Sequence, residues 1–229
     1  AVGLLALFLL YAPIHVATKS LFGRSNWPRR FLAAAASDVG LRVRVVGQAL
    51  QPHTLVIANH LSWLDILILG GHAGCAFVSK DNLGHGLIHW LADQNATIYV
   101  RRESRHAAKD QALAIAKALE GEQPVAVFPE GTTGPGTEML PFRSTLLEAA
   151  ALAAKDVSIR PVAIDYGSAT PDIAWWEEPG WHYIRRVLGR SGTAEVTVTL
   201  LEPLRHSGDR KALAQAARDA IAETLASSR

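Results

Sequence analysis

A histidine followed five residues later by an aspartate sits in the apolar stretch "IANHLSWLDILIL", Ile57 to Leu69. An imidazole held by a carboxylate is the arrangement of a general base. The carboxylate fixes one ring nitrogen as donor and leaves the other to take a proton. Polar groups in so apolar a segment also need partners, since an unpaired buried polar group costs about 1–3 kcal/mol. The spacing limits how His60 and Asp65 can meet. On one continuous helix residues five apart point about 140° away from each other. They face one another only if His60 lies in a turn and Asp65 in the first helical turn, folded back. The same residues also fit a capping cluster, in which Asn59 or Ser62 caps the helix and His60 fills a surface niche.

Two other stretches carry reactive or anion-binding groups. "VAVFPEGTTGPGTEMLPFR" places Glu130, Gly131 and Thr132 directly after a short apolar run. A glycine-bearing turn there exposes backbone N–H groups that can cradle an anion; a plain turn with a solvated glutamate is the alternative. No Gly-Lys-Ser/Thr follows, so it is not a P-loop, and it is not a dinucleotide fingerprint. "IYVRRESR" gathers Arg101, Arg102 and Arg105. Their planar guanidinium groups suit a phosphate or carboxylate, against the alternative of a solvated basic turn. Ser62 lacks the Gly-x-Ser-x-Gly elbow of a hydrolase nucleophile. His85 and His89 are four apart, but Gly84 and Gly86 weaken a helix there and no third ligand is evident, so no metal site is expected. His72, His106, His182 and His206 read as surface or loop residues. Cys75 is the sole cysteine; it excludes an internal disulfide framework and a Cys-cluster zinc site, and in "GCAFVS" it reads as a buried structural thiol.

These residues need a scaffold, and the chain offers alternating strands and helices. "LRVRVVG" alternates at period two, as a half-exposed strand does, and "TLVIAN" is a continuous apolar run, as expected of a strand buried on both faces. "CAFVS", "ATIYV", "PVAVF", "IRPVAI" and "AEVTVTL" complete seven strand signals. Helical patterns cover 63–69, 87–93, 106–120, 144–154 and 209–225, the last with Ser207 or Asp209 as its cap. The expected fold is therefore an α/β sandwich with a largely parallel or mixed sheet of about seven strands flanked by helices. In such sheets ligands gather at the carboxyl ends of strands, where His60 and Glu130 fall. The stretch 169–192, with "WWEEPGWHYIRRVLG", is the least regular and reads as a packed insertion, with an interfacial loop or helix as the alternative.

The first 39 residues differ in kind from residues 40–229. Ala1 to Thr18 contains no charged residue, close to the lower end of the roughly 17–25 residues of a spanning helix, although Pro13 and His15 interrupt it. Trp27 with Arg29 and Arg30 then precedes a second short apolar helix, the composition of a headgroup-level anchor. Through Leu50 six basic residues stand against the single acidic Asp38, a net +5, and the rest carries −3 of the overall +2. A basic, apolar front end suits an anionic membrane better than nucleic acid. An interfacial helical hairpin, a spanning anchor and a buried core helix all fit this segment. No small-residue cleavage pattern marks a signal peptide.

Taken together, the three chemical stretches resemble the glycerolipid acyltransferases, the family of 1-acyl-glycerol-3-phosphate acyltransferases and their lysolipid relatives. Asn59, His60 and Asp65 match its Asn-His-x4-Asp block, Arg102 its arginine block, Phe128 to Thr132 its Phe-Pro-Glu-Gly-Thr block, and Pro161 in "IRPVAI" its proline block. Thr133 stands where phosphatidate-forming members usually carry arginine, and Arg143 where a lysine is common. The run "FPEGTTGPGTEMLPFRSTL" looks nearer the lyso-ornithine-lipid type. The resemblance implies transfer of a fatty acyl group from acyl-CoA or acyl carrier protein to a lysolipid hydroxyl, with no other cofactor. It implies His60 as general base oriented by Asp65, on membrane lipids, at the cytoplasmic face of the cell membrane. Arg102, with Arg105 or Arg143, would hold the acceptor headgroup; Glu130, Gly131 and Thr132 would form the acceptor-binding block. Lys80, ending "CAFVSK", would be a headgroup or CoA contact or else a solvated lysine. Backbone N–H groups of the His60 turn or the Glu130–Gly131 turn would receive the oxyanion. A thioesterase or lipid hydrolase using the same pair on water, and a non-catalytic lipid-binding scaffold, are the alternatives.

Overall fold

Every strand signal becomes a strand, and the seven join one mixed sheet. The computed structural model describes residues 2–80, 86–100, 105–153, 156–205 and 208–228, with the side chains of Lys80 and 105–108 outside that description. The strands are β1 (Leu41–Val46), β2 (Thr54–Ala58), β3 (Ala76–Lys80), β4 (Ile98–Val100), β5 (Val125–Val127), β6 (Ser158–Asp165) and β7 (Ala194–Leu200), in the order β1-β7-β6-β2-β5-β3-β4. All neighbours are parallel except β6 and β7. β2 is wholly buried at the sheet centre, as its unbroken apolar run requires. Its Leu55 and Ile57 enter one core cluster, and Val56 and Ala58 the other.

The helices are α1 (Val2–Phe22), α2 (Trp27–Asp38), α3 (Leu64–Ile68), α4 (Leu87–Gln94), α5 (Arg105–Leu119), α6 (Glu148–Leu152), α7 (Thr170–Ile173), α8 (Gly180–Gly189) and α9 (Arg210–Ser227). One face of the sheet is covered by α5, α6 and α9. There Ala112, Ile115 and Leu119 recur at helical spacing and pack with Leu213, Ala214 and Ala217. Asp209 begins α9, its carboxylate accepting the Lys211 N–H at 2.8 Å. The other face carries Ala35 and Ala36 of α2, Leu64 and Ile68 of α3, and Tyr183 and Val187 of α8. Cys75 is buried in that core, and burial pushes its thiol up to about 12.

Two segments differ from the sequence reading. The stretch 169–192 is more regular than its sequence suggests: it holds α7 and the amphipathic α8, whose inner residues pack into the core as a packed insertion would. Pro13 and His15 do not interrupt α1, which runs through both as 21 residues of mean hydropathy 1.6. Proline removes one helical hydrogen bond, and packing on either side of Pro13 offsets that loss. Tyr11 meets Trp27 edge-on at 5.4 Å. His15 is buried, with Nε2 on Gln94 of α4 and Nδ1 on Ser25, each at 2.9 Å. By length and composition α1 could cross a membrane; in this fold it lies along α2 and α4.

Candidate active site

The chain leaves β2 at Asn59 and turns before entering α3. Asn59 is buried and clamps this turn to β6: its amide donates to the Ile164 carbonyl at 2.9 Å and its side-chain oxygen accepts the Ile164 N–H at 2.8 Å. His60 follows at the carboxyl end of the strand, with Asp65 in the first turn of α3. Asp65 is fully buried. Its Oδ2 accepts His60 Nδ1 at 2.8 Å, Leu61 N at 2.8 Å and Ser62 N at 3.0 Å. Its Oδ1 accepts the Tyr166 hydroxyl at 2.5 Å. The turn-plus-helix geometry required by the five-residue spacing is therefore present. Dyad and capping cluster also coexist, because one carboxylate both orients the imidazole and closes the turn. With the ring proton on Nδ1, Nε2 is the basic nitrogen.

Glu130 braces this turn from the neighbouring strand end. Its Oε1 accepts the His60 N–H at 2.8 Å and its Oε2 the Leu140 N–H at 3.0 Å. Gly134 N donates back to the His60 carbonyl at 2.8 Å, so both backbone groups of His60 are tied to the loop after β5. Burial raises the Glu130 pKa despite the opposing pull of the two N–H donors. Phe128 stacks on the His60 ring with centroids 4.0 Å apart and fixes its plane.

The loop after β5 also brings a cation to the site. Arg143 N donates to Pro129 O at 2.9 Å, and its guanidinium lies across Gly131. A Cβ on Gly131 would stand 3.4 Å from Arg143 Nη1, and φ there is +77°, a conformation glycine adopts without strain. Thr132 is exposed beside it. His60, Asp65, Glu130, Gly131, Thr132 and Arg143 thus share one edge of the sheet. Lys80 ends β3 and Arg105 begins α5, but their side chains, like all of Arg101, Arg102 and His85, lie outside the described residues. His89 pairs with Asp93 at 3.2 Å and stacks on Tyr99.

One expectation is narrowed by the hydrogen bonds. The N–H groups of His60, Leu61 and Ser62 are already committed to Glu130 and Asp65, so they are not oxyanion donors in this geometry. Sequence reasoning missed Tyr166 and Tyr183. Tyr166 sits just past β6, at the carboxyl edge of the strand beside β2, which was the signal available. Its hydroxyl pKa is raised well above the ordinary value by burial and by the Asp65 charge. Tyr183 bonds the Ser62 hydroxyl from α8, with no local sequence signal. Arg160 is likewise buried, its guanidinium donating to the carbonyls of Ala49, Leu200 and Leu201.

A His–Asp pair at the carboxyl edge of a mixed α/β sheet has the geometry of an oriented general base. The chain belongs to the Acyltransferase family, whose model matches residues 42–165, a span holding all the residues of this edge from His60 to Arg143. It is 36% identical over 168 residues to the lyso-ornithine lipid O-acyltransferase of Rhodobacter capsulatus, covering 69% of this chain and 60% of that protein. The lyso-ornithine lipid O-acyltransferase of Pseudomonas aeruginosa is 34% identical over 205 residues, 86% of this chain and 78% of that one. The fold matches the crystal structure of the 1-acyl-sn-glycerophosphate (LPA) acyltransferase PlsC from Thermotoga maritima, with TM-score 0.65 and 22% identity over 98% of this chain and 94% of that chain.

Proposed function

We propose that this chain is a membrane-associated O-acyltransferase that moves a fatty acyl group from a thioester to the free hydroxyl of a lysolipid. The acceptor favoured by its relatives' names is a lyso-ornithine lipid. The observation that carries the reading is the 2.8 Å contact of His60 Nδ1 with buried Asp65. In this reaction Nε2 takes the proton of the acceptor hydroxyl as its oxygen attacks the thioester carbonyl. The tetrahedral intermediate then collapses with cleavage of its C–S bond, and the His60 imidazolium returns the proton to the departing thiolate, which leaves as the thiol of CoA or of acyl carrier protein. Asp65 holds the tautomer and stabilises the imidazolium. General-base help of this kind is worth about 10²–10⁴-fold. With the His60 turn committed, and Gly131 N–H given to the Phe128 carbonyl at 3.0 Å, the Thr132 N–H is the donor of the neighbouring turn that would receive the oxyanion.

Arg143, across Gly131, takes the acceptor's anionic group, with Arg102, Arg105 and Lys80 as further headgroup or thioester contacts. An arginine there suits a phosphate as well as a carboxylate, so lysophosphatidic acid is the second acceptor to test. The exposed leucines of α1 support a seat on the membrane that holds such substrates, and the cytoplasmic face is where acyl thioesters are at hand. Purified protein, a labelled acyl-CoA or acyl carrier protein thioester, and a panel of lysolipids read by mass spectrometry test the proposal. Acylated lysolipid is expected, with turnover reduced at least about 10²-fold in His60→Ala. Free fatty acid alone would mean hydrolysis, and undiminished turnover in His60→Ala would remove His60 from the mechanism.

A further inference from the structure

Helix α8 has apolar residues on two sides. Tyr183 and Val187 are buried in the core shared with α2 and α3. Trp181 and Ile184, three residues apart, point elsewhere and are 61% and 47% exposed, with partly covered Leu188 continuing the stripe. Trp176, in the loop before α8, is also exposed. Arg185 lies within the stripe and exposed His182 beside it. From Trp181 to Arg190 the chain carries three arginines and no acidic residue. Arg186 is held inward, donating to the carbonyls of Asp172 and Ala174 and to Glu178. Tryptophan and arginine over an aliphatic residue is the composition of a lipid headgroup boundary, where amphipathic side chains keep one end wet.

The two ends of α8 are tied to other parts of the fold. At its carboxyl end Arg190 Nη2 donates to the Val39 and Gly40 carbonyls just past α2, at 3.5 and 3.3 Å. Asp38, one residue earlier, lies so close to Gly3 of α1 that a Cβ there would meet its carboxylate. The carboxyl end of α8 is therefore tied to the end of α2 that meets the start of the apolar α1, which itself exposes Leu5, Leu9 and Leu10. At its amino end α8 touches the catalytic turn. Tyr183 bonds the Ser62 hydroxyl and stacks at 5.0 Å on Trp175, whose N–H donates to the Leu61 carbonyl at 2.8 Å. We propose that the outer face of α8, through Trp181, Ile184 and Arg185 with Trp176, is a second lipid-surface contact. Working with α1, it seats the catalytic edge of the sheet against an anionic bilayer, so α1 anchors the enzyme and α8 sets its orientation. The inference rests on the membrane part of the function proposed above.

The test uses the full chain and vesicles of phosphatidylcholine and phosphatidylglycerol with brominated acyl chains. The fluorescence difference between wild type and Trp181→Phe isolates Trp181. It is expected to be quenched on binding mixed vesicles, and several-fold less so on phosphatidylcholine alone. The Trp181→Ala/Ile184→Ala double variant should keep its unfolding midpoint and its rate on a water-soluble short-chain acceptor. On vesicle-embedded lysolipid it should lose at least about tenfold in kcat/KM, a floor set below the roughly hundredfold or greater loss that removing two fully buried apolar side chains would give. Unquenched Trp181 in vesicle-bound protein overturns the proposal, as does a double variant as active on vesicles as wild type. A loss seen with acyl carrier protein thioester but not with acyl-CoA also overturns it, since the stripe would then serve an acidic protein. If Trp181 is quenched but wild type acylates no lysolipid, the lipid contact stands and the proposed reaction falls.

Discussion

Asp65 accepts four hydrogen bonds on two oxygens, and Glu130 two on two. Both carboxylates are buried acceptors of backbone N–H groups, which is how a turn of three successive inward-pointing amides is kept closed. Glu130→Gln replaces one accepting oxygen by a donor facing a backbone N–H, which should cost about 1–3 kcal/mol of stability and lower kcat by loosening His60. Its pH dependence follows from the raised Glu130 pKa. The folded state holds this proton to higher pH than the unfolded state, so stability falls as pH rises from the ordinary carboxylate value through the raised folded one. Urea midpoints at a series of pH values should show that fall in wild type and a flatter profile in Glu130→Gln. Parallel profiles would mean that Glu130 is not the group responsible.

At the scale of elements, the His60 turn is braced by α3, which continues into a π-helical turn, Leu69–Ala73, that α2 overlies closely. Gly71 makes that approach possible. A Cβ there would stand 2.4 Å from Ala33 N and 2.7 Å from Ala33 Cα, backbone atoms that cannot swing away. Arg29 spans the same junction, donating to the Gly71 and His72 carbonyls at 3.2 and 3.0 Å. Gly71→Ala should therefore force α2 off the sheet, costing about 1–3 kcal/mol as overpacking does. Gly189→Ala, at the end of α8 with open space around it, should cost nothing. Thermal unfolding of the two variants side by side checks the contrast, and equal midpoints would sink the close-packing argument.

At the scale of the molecule, α1 carries the densest set of exposed large apolar side chains. Val2, Leu5, Leu9 and Leu10 of α1 and Leu87 and Ile88 of α4 are exposed together, where a water-facing surface would carry charge. Lys19 reaches Gln94 at 3.1 Å near the end of the same helix, at the polar limit of this face. Replacing exposed leucines of α1 with acid should move the protein off membranes without unfolding it. Leu5→Glu/Leu10→Glu is expected to shift most of the protein from the pelleted to the soluble fraction in vesicle sedimentation, with the unfolding midpoint unchanged. A variant that still pellets fully would show that α1 is not the anchor.

The alternating apolar runs and the five-residue His60–Asp65 spacing were enough to place seven strands and a turn-plus-helix dyad, because period and spacing are local properties that survive in any fold that buries those strands. The same was true of the Glu130–Gly131–Thr132 turn at a strand end. Local sequence could not find what reaches Asp65 and Ser62 from the far side. Tyr166 and Tyr183 lie over a hundred residues downstream and meet the dyad only because β6 sits beside β2 and α8 folds back over the sheet. Nor could it decide whether Glu130 is a solvated carboxylate or a buried brace, since that depends on desolvation by neighbours from other elements. The sequence allowed an interfacial helix within 169–192 but not which of its residues face outward, because which apolar residues of an amphipathic helix are covered is settled by the surface it packs on. The His60–Asp65 pairing was thus legible in the chain; its bracing and its orientation were decided by which strand lies next to which.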